Sequence, residues 1–245
     1  MEWFERLYFG TWQLGGQFKN LSSAQIESLL LFALESGIRC FDTAAVYGGG
    51  SVETVLGLCA PIDATIVTKI PAIRKPDLGS PAPISEFYSL DHLDQSVENS
   101  LNRLKRTRVD TVLLHNWLPT WSSEAVSILN HLQGMKNKGI ALKVGISLPD
   151  SFLSTIHAEA LPYIDVIEAP FNPNQEWILN QLPNLLAMKK EVLLRSLFCQ
   201  GKLLASHPAE LLVKNALRLK TSIVIGMTSE EQITHNISYL KGVDT

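Results

Sequence analysis

Eight short apolar runs punctuate the chain: Leu7–Trp12, Ile38–Phe41, Thr65–Thr68, Val109–Leu114, Leu142–Ile146, Ile164–Glu168, Val192–Arg195 and Ser222–Ile225. Most are continuous rather than alternating in polarity, the pattern of parallel strands buried on both faces. Between them polarity repeats every 3.6 residues. In Asp91–Arg106, for example, Leu93, Val97, Leu101 and Leu104 mark one buried face. Ser22 with Gln25, and Ser229 with Gln232, have capping-box spacing. Gly37 and Gly139 stand where a helix gives way to a strand, the place for a left-handed cap. Eight strands alternating with eight helices predict an α/β chain closed as a (β/α)₈ TIM barrel, one domain over residues 1–245. An open doubly wound sheet is the alternative, but no GxGxxG follows the first run.

Composition narrows the class. The chain has 245 residues, 46% hydrophobic and 18% charged, enough for a large core without disulfides. A net charge of −3 and no basic stripe argue against nucleic acid. The basic run Arg103–Arg108 closes a helical pattern and reads as a solvated face complementing the helix dipole. Cys40, Cys59 and Cys199 form no CxxC and fit a reducing compartment. Met1–Arg6 lacks the apolar centre of a signal peptide, and no apolar stretch approaches the roughly 20 residues that span a membrane. A cytoplasmic protein is expected.

The chemistry sits at strand ends. Asp42, Lys69 and His115 each follow an apolar run, and Tyr47 lies in the loop after Asp42. A parallel barrel gathers such ends at one rim, where this fold keeps its active site. A phenol with a reference pKa of about 10 is a slow acid at neutral pH unless a cation stabilises its phenolate. Lys69 can be that cation, Asp42 can hold it, and His115 can orient a carbonyl. Singly, each has a plain structural role: a turn cap, a loop aromatic, a surface ion pair, a core histidine. Together they point to proton transfer.

These segments resemble the aldo-keto reductase family. Gly10-Thr11-Trp12-Gln13-Leu14-Gly15-Gly16 is similar to its first-strand segment, Asp42–Tyr47 with Gly48 to its active-site signature, and Val67-Thr68-Lys69 to its lysine strand. Leu101-Asn102-Arg103-Leu104 and Val109–His115 resemble its histidine strand and the preceding helix. The resemblance runs from about Phe9 to Tyr239. It implies NAD(P)H-dependent reduction of a small-molecule aldehyde or ketone, with Tyr47 as general acid and Lys69, Asp42 and His115 assisting.

The resemblance also implies a cofactor path. It would run past Gly10, Thr11, Trp12 and Asp42, then Ser147, Glu168, Arg195 and Ser196. Beyond these lie Gly201 in the loop after the seventh strand and Gly226, Thr228, Ser229, Gln232 and Asn236 after the eighth. Gly201 would let backbone N–H groups approach a pyrophosphate, and the helix opening at Ser229 favours negative charge. Three positions depart from the family pattern. Ser147-Leu148 replaces Ser-Asn, Glu168 replaces a glutamine and can still accept from the nicotinamide amide, and Arg195 stands where an aromatic platform is common. Arg195-Ser196-Leu197-Phe198-Cys199-Gln200-Gly201 resembles a segment of members associated with cell-surface carbohydrate clusters. The positions expected to read a 2′-phosphate, Gly226, Ser229 and Gln232, are uncharged, while Glu230 and Glu231 can bond a free ribose hydroxyl. NADP is the expected cofactor, with NAD possible.

Ile70–Ser89, with Pro71, Pro76, Pro81 and Pro83, reads as a substrate wall, and Phe87, Trp117 and Trp121 as either pocket lining or packing. The end of the chain at Thr245, together with a short Cys199–His207 loop, suggests an open site. Two rival readings remain: a cofactor-binding regulatory subunit with little turnover, and a non-redox barrel enzyme using Lys69 as a Schiff base.

Overall fold

A computed structural model describes residues 3–121, 123–150 and 152–241; Met1, Glu2 and residues 242–245 of the expected single domain lie outside them. Eight parallel strands close into a barrel in chain order: β1 (Leu7–Gly10), β2 (Cys40–Asp42), β3 (Thr65–Ile70), β4 (Val109–His115), β5 (Ala141–Ser147), β6 (Val166–Pro170), β7 (Glu191–Arg195) and β8 (Ser222–Gly226). β8 returns to β1, pairing Gly226 with Gly10.

A one-turn helix, α1 (Trp3–Arg6), precedes β1. The helices between and after the strands are α2 (Ser23–Glu35), α3 (Ser51–Cys59), α4 (Leu90–Leu104), α5 (Val126–Asn137), α6 (Leu182–Ala187), α7 (Ala209–Leu217) and α8 (Glu230–Lys241). The expected alternation therefore fails once. Among the described residues, the connection from β5 to β6 holds only a 3₁₀ turn, Leu161–Tyr163. Pro149 and Pro162 bound a stretch with Asp150, Ser154 and Thr155, whose short polar side chains compete with helical backbone bonds. Phe152, Ile156 and Ala160 bury themselves in its place, and Phe152 packs on Trp177 with ring centroids 4.8 Å apart.

Other local signals are borne out in part. The Ser22–Gln25 box forms both its bonds. Gly37 and Gly139 take φ of 98° and 74°, which a side chain would resist. The box at Ser229 is only half formed: Gln232 N–H donates to Ser229 Oγ, but the Gln232 carbonyl accepts from Thr228 N–H (2.8 Å) rather than from Ser229. β1 is shorter than expected, because Thr11 turns out of the ladder and donates N–H and Oγ1 to Asp42 O at 2.9 and 3.0 Å. β3 is longer and carries Lys69 inside it.

Strand periodicity of two builds the interior in layers. Tyr8, Cys40, Val67, Leu113, Val166, Leu193 and Val224 form an apolar cluster separate from the large core between strands and helices. Gly145 supplies the eighth position, where a Cβ would lie 1.9 Å from Val166 O. Two residues further along each strand come Gly10, Asp42, Lys69, His115, Ser147, Glu168, Arg195 and Gly226. The layer above the apolar plug is thus almost wholly polar.

Candidate functional site

Each strand places one side chain of this layer, and the register brings them together: Asp42 pairs with Gly10, Ser147 with His115 and Glu168 with Ser147. Tyr47 enters from above on a 3₁₀ turn, Tyr47–Gly50. Gly48, Gly49 and Gly50 run at φ of 56°, 62° and 93°, a left-handed sequence that folds the chain sharply from Tyr47 into α3. A cleft of about 750 Å³ opens over the layer.

The polar centre is a chain of alternating charge. Lys69 Nζ lies 2.5 Å from Asp42 Oδ1 and 3.1 Å from Thr43 O, and 3.2 Å from Glu168 Oε2. Glu168 Oε1 meets Arg195 Nε at 3.0 Å and accepts from Ser147 Oγ at 3.2 Å. Arg195 continues to Asp150, to the Leu148 carbonyl and to Ser196 Oγ (2.7 Å). Lys69 Nζ sits 5.5 Å from the centre of the Tyr47 ring, which meets the His115 ring edge-on with centroids 6.2 Å apart.

Burial and these neighbours reset the protonation states. Burial would lower the Lys69 ammonium, but Asp42 and Glu168 outweigh it and hold the charge firmly. Burial, then the Glu168 charge, push Asp42 upward against the pull of Lys69. Glu168 moves the other way: burial would raise it, but Lys69 and Arg195 together hold it ionised. Burial and then the Lys69 charge drive His115 down to about 3, so its imidazole is neutral at physiological pH. Tyr47 departs from expectation. Lys69 does pull it down, but burial, Asp42 and Glu168 prevail and raise it to about 12.

Of the candidates, Gly10, Trp12, Asp42, Tyr47, His115, Glu168, Arg195, Ser196, Gly201, Gly226, Thr228, Gln232 and Asn236 line the cleft. Thr11, Lys69, Ser147 and Ser229 do not: Thr11 holds the Asp42 carbonyl, Lys69 and Ser147 are buried within the layer, and Ser229 caps α8. The loop at Gly201 also differs from expectation. The N–H groups of Gly201, Lys202 and Leu203 donate inside the loop, to Phe198 O, Cys199 O and Phe198 O. A Cβ at Gly201 would meet nothing within 4 Å, so the loop offers a bare backbone surface rather than a nest of free donors. Gln232, holding Thr228, serves the fold first.

Phe87, Trp117 and Trp121 are packing, not lining: all three are fully buried, with Trp121 tilted against Phe87 and edge-on to Trp117 and its Nε1 donating to Ala82 O. The Ile70–Ser89 segment reaches the cleft through Lys75 and ends beneath it, where the Tyr88 hydroxyl donates to the His115 carbonyl. The basic run is more than a solvated face. Arg103 Nε meets the fully buried Glu53 at 2.8 Å, and Arg106 donates to the carbonyls of Pro61, Ile62 and Ala64. Sequence reasoning missed Gln13, whose amide donates to Gly10 O at 2.5 Å and fills the space over Gly226. It also missed Asn116, held at φ of 63° beside His115, and Asp150, the outer anchor of Arg195. Asn116 was adjacent to a recognised residue, whereas Asp150 carried no signal of its own.

Residues 6–178 match the sequence model of the aldo/keto reductase family. An uncharacterized oxidoreductase of Bacillus subtilis, YcsN, is 30% identical over 151 residues, which cover 59% of this chain and 49% of the relative; the match thus spans about half that protein's length. Among solved structures, the holo form of aldo-keto reductase AKR11C1 from Bacillus halodurans is 18% identical, with 96% of this chain and 86% of that one aligned at a TM-score of 0.75. An aldo/keto reductase from Klebsiella pneumoniae in complex with NADP and acetate is also 18% identical, with 96% and 85% aligned at 0.69.

Proposed function

Because the chain belongs to the aldo/keto reductase family, we propose that it reduces an aldehyde or ketone to an alcohol with a nicotinamide dinucleotide, Tyr47 giving the proton to the carbonyl oxygen. The observation that carries this reading is the Asp42–Lys69 pair at 2.5 Å beneath a cleft-lining Tyr47 and a neutral His115. Bound in the cleft, the dinucleotide supplies the hydride that no side chain can provide. His115 holds the carbonyl oxygen by a hydrogen bond and so places it against the Tyr47 hydroxyl. As the proton leaves, Lys69 stabilises the negative charge left on the phenol oxygen, and Asp42 keeps that ammonium fixed.

Residues of the other half of the rim fit the cofactor. Glu168 lines the cleft, and although its Oε2 is ion-paired with Lys69 at 3.2 Å, a carboxylate has lone pairs to spare, so it can accept a hydrogen bond from the nicotinamide amide. The bare surface at Gly201 suits close approach of phosphates, the first turn of α8 leaves backbone donors for an anion, and Asn236 faces the same groove. Gly10, Trp12, Ser196, Gly226 and Thr228 complete this wall, with Thr11, Ser147, Ser229 and Gln232 supporting it. NADP is the form we assign, supported by the Klebsiella pneumoniae relative's complex. NAD is the second reading, favoured by the uncharged Gly226, Ser229 and Gln232 and by Glu230 and Glu231 at the start of α8. The reading carries a cytoplasmic location, in keeping with three free cysteines; no helix among the described residues is long and apolar enough to cross a membrane.

A screen of aldehydes and ketones with NADPH and NADH, followed at the nicotinamide absorbance, tests the function. Oxidation that requires both protein and carbonyl is expected. Tight dinucleotide binding without turnover on any carbonyl would instead favour a cofactor-binding protein. Borohydride trapping of a carbonyl on Lys69 with no nicotinamide requirement would overturn the reading; the burial of Lys69 between two carboxylates works against that chemistry.

A further inference from the structure

One ammonium needs one counter-ion, and Lys69 has two. Asp42 and Glu168 approach the same Nζ at 2.5 and 3.2 Å, with the three side chains no more than 5% exposed. The contacts that Glu168 makes with Ser147 and Arg195 require only an acceptor oxygen, which a glutamine would offer at the same reach. What the carboxylate adds is charge. That charge faces Lys69 on one oxygen and Arg195 on the other, and Arg195 is in turn anchored by Asp150, so charge alternates from β2 through β3 and β6 to β7 and the loop after β5.

We propose that Glu168 is a positioning residue of this site: as the second counter-ion of Lys69, braced by Arg195, it limits how far the ammonium can stabilise a Tyr47 phenolate and so holds the phenol in its protonated form. This rests on the reading of Tyr47 as the acid. The groups that face Tyr47 are Asp42 on β2, Lys69 on β3, His115 on β4, Glu168 on β6 and Arg195 on β7, with Asp150 behind Arg195 and Lys75 on the cleft wall. β1 and β8 contribute Gly10 and Gly226 to that layer, with Tyr8 one layer deeper. At the alkaline pH where Tyr47 ionises, both carboxylates are already charged and His115 is neutral. Neutralising Glu168 then leaves Lys69 less screened and the phenolate better stabilised, whereas removing the Arg195 cation does the reverse. A site that had merely loosened would move both variants the same way, toward an ordinary exposed tyrosine.

The experiment reads phenolate absorbance near 295 nm after stopped-flow jumps to alkaline pH, with Tyr47→Phe as the background that isolates Tyr47 from the other four tyrosines. Glu168→Gln is expected to lower the Tyr47 midpoint by about one pH unit, the scale of one nearby charge at an effective dielectric of about 20 or more. Its phenolate signal at a fixed pH of about 11 then rises severalfold, given a wild-type midpoint near 12. Arg195→Gln lowers that signal. An unchanged midpoint in Glu168→Gln, or a shift in the same direction in both variants, overturns the proposal. Should Glu168→Gln fail to fold, Arg195→Gln carries the test alone, and an unchanged or increased phenolate signal overturns it. The readout uses neither cofactor nor turnover. Full carbonyl reduction by Tyr47→Phe would therefore defeat the catalytic reading while leaving this coupling separately measurable.

Discussion

The two halves of the rim are built on different principles. On β2 to β4 the groups we assign to proton transfer stand close together: Asp42 against Lys69, with the Tyr47 and His115 rings edge-on to one another. On β6 and β7 the groups serve one another first, since Glu168 and Arg195 are tied to each other and outward to Ser147 and Asp150. Lys69 belongs to both halves. In the proposed reading, buried charge sets protonation states in the half assigned to proton transfer and fixes side chains along a groove in the half assigned to the cofactor. Among the described residues, Lys69 and Glu168 join the two sides by direct contact.

Removing that link should have the largest effect. Lys69→Met strands Asp42 without a cation and leaves the Thr43 carbonyl without its donor. The expected loss is about 3–5 kcal/mol of unfolding free energy by urea denaturation, partly recovered by adding Asp42→Asn. Equal stability of Lys69→Met and wild type would mean that the two halves are not joined there.

His115 gives the next effect, through pH. Its folded value is lowered, so between about 6.5 and 3 the unfolded chain takes a proton that the folded chain refuses. The stability it contributes is present above that window and lost as pH falls through it. The dependence is steepest at about 1 kcal/mol per pH unit, below the single-proton limit because the ring borders the cleft. His115→Gln should flatten the urea-derived stability profile by that amount over this window, and an unaltered slope would show the imidazole already protonated in the folded protein.

A smaller effect is expected on the cofactor side alone. Gln232→Ala frees the Thr228 backbone at the mouth of α8. Dinucleotide affinity by fluorescence titration should fall several-fold, equivalent to about 1 kcal/mol, with the turnover of bound cofactor unchanged. A fall in turnover as well would break the division between halves.

How much of this was legible in the sequence follows the same division. Every member of the polar layer was recognisable, because each lies at or near the end of an apolar run and a parallel barrel collects those ends. The eight strands were equally plain. The helix missing between β5 and β6 was not, since Phe152, Ile156 and Ala160 keep an apolar spacing while Pro149 and Pro162 limit the helix. Pairing partners were the other blind spot. Nothing local to Asp150 announces that it anchors Arg195 across 45 positions, and nothing in the spacing of Glu168 places it on Lys69. Tyr47 was expected to be lowered by its lysine. Its upward shift depends on burial and on a second carboxylate, both products of tertiary packing.

The central claim is that Tyr47 is the acid of a carbonyl reduction. Single-turnover reduction by Tyr47→Phe, with dinucleotide affinity measured on the same sample, tests it most directly. The account predicts a fall of about 10²–10⁴-fold in the rate of the chemical step, with cofactor affinity within about threefold of wild type. A variant that reduces the same carbonyl at an unreduced rate would contradict it.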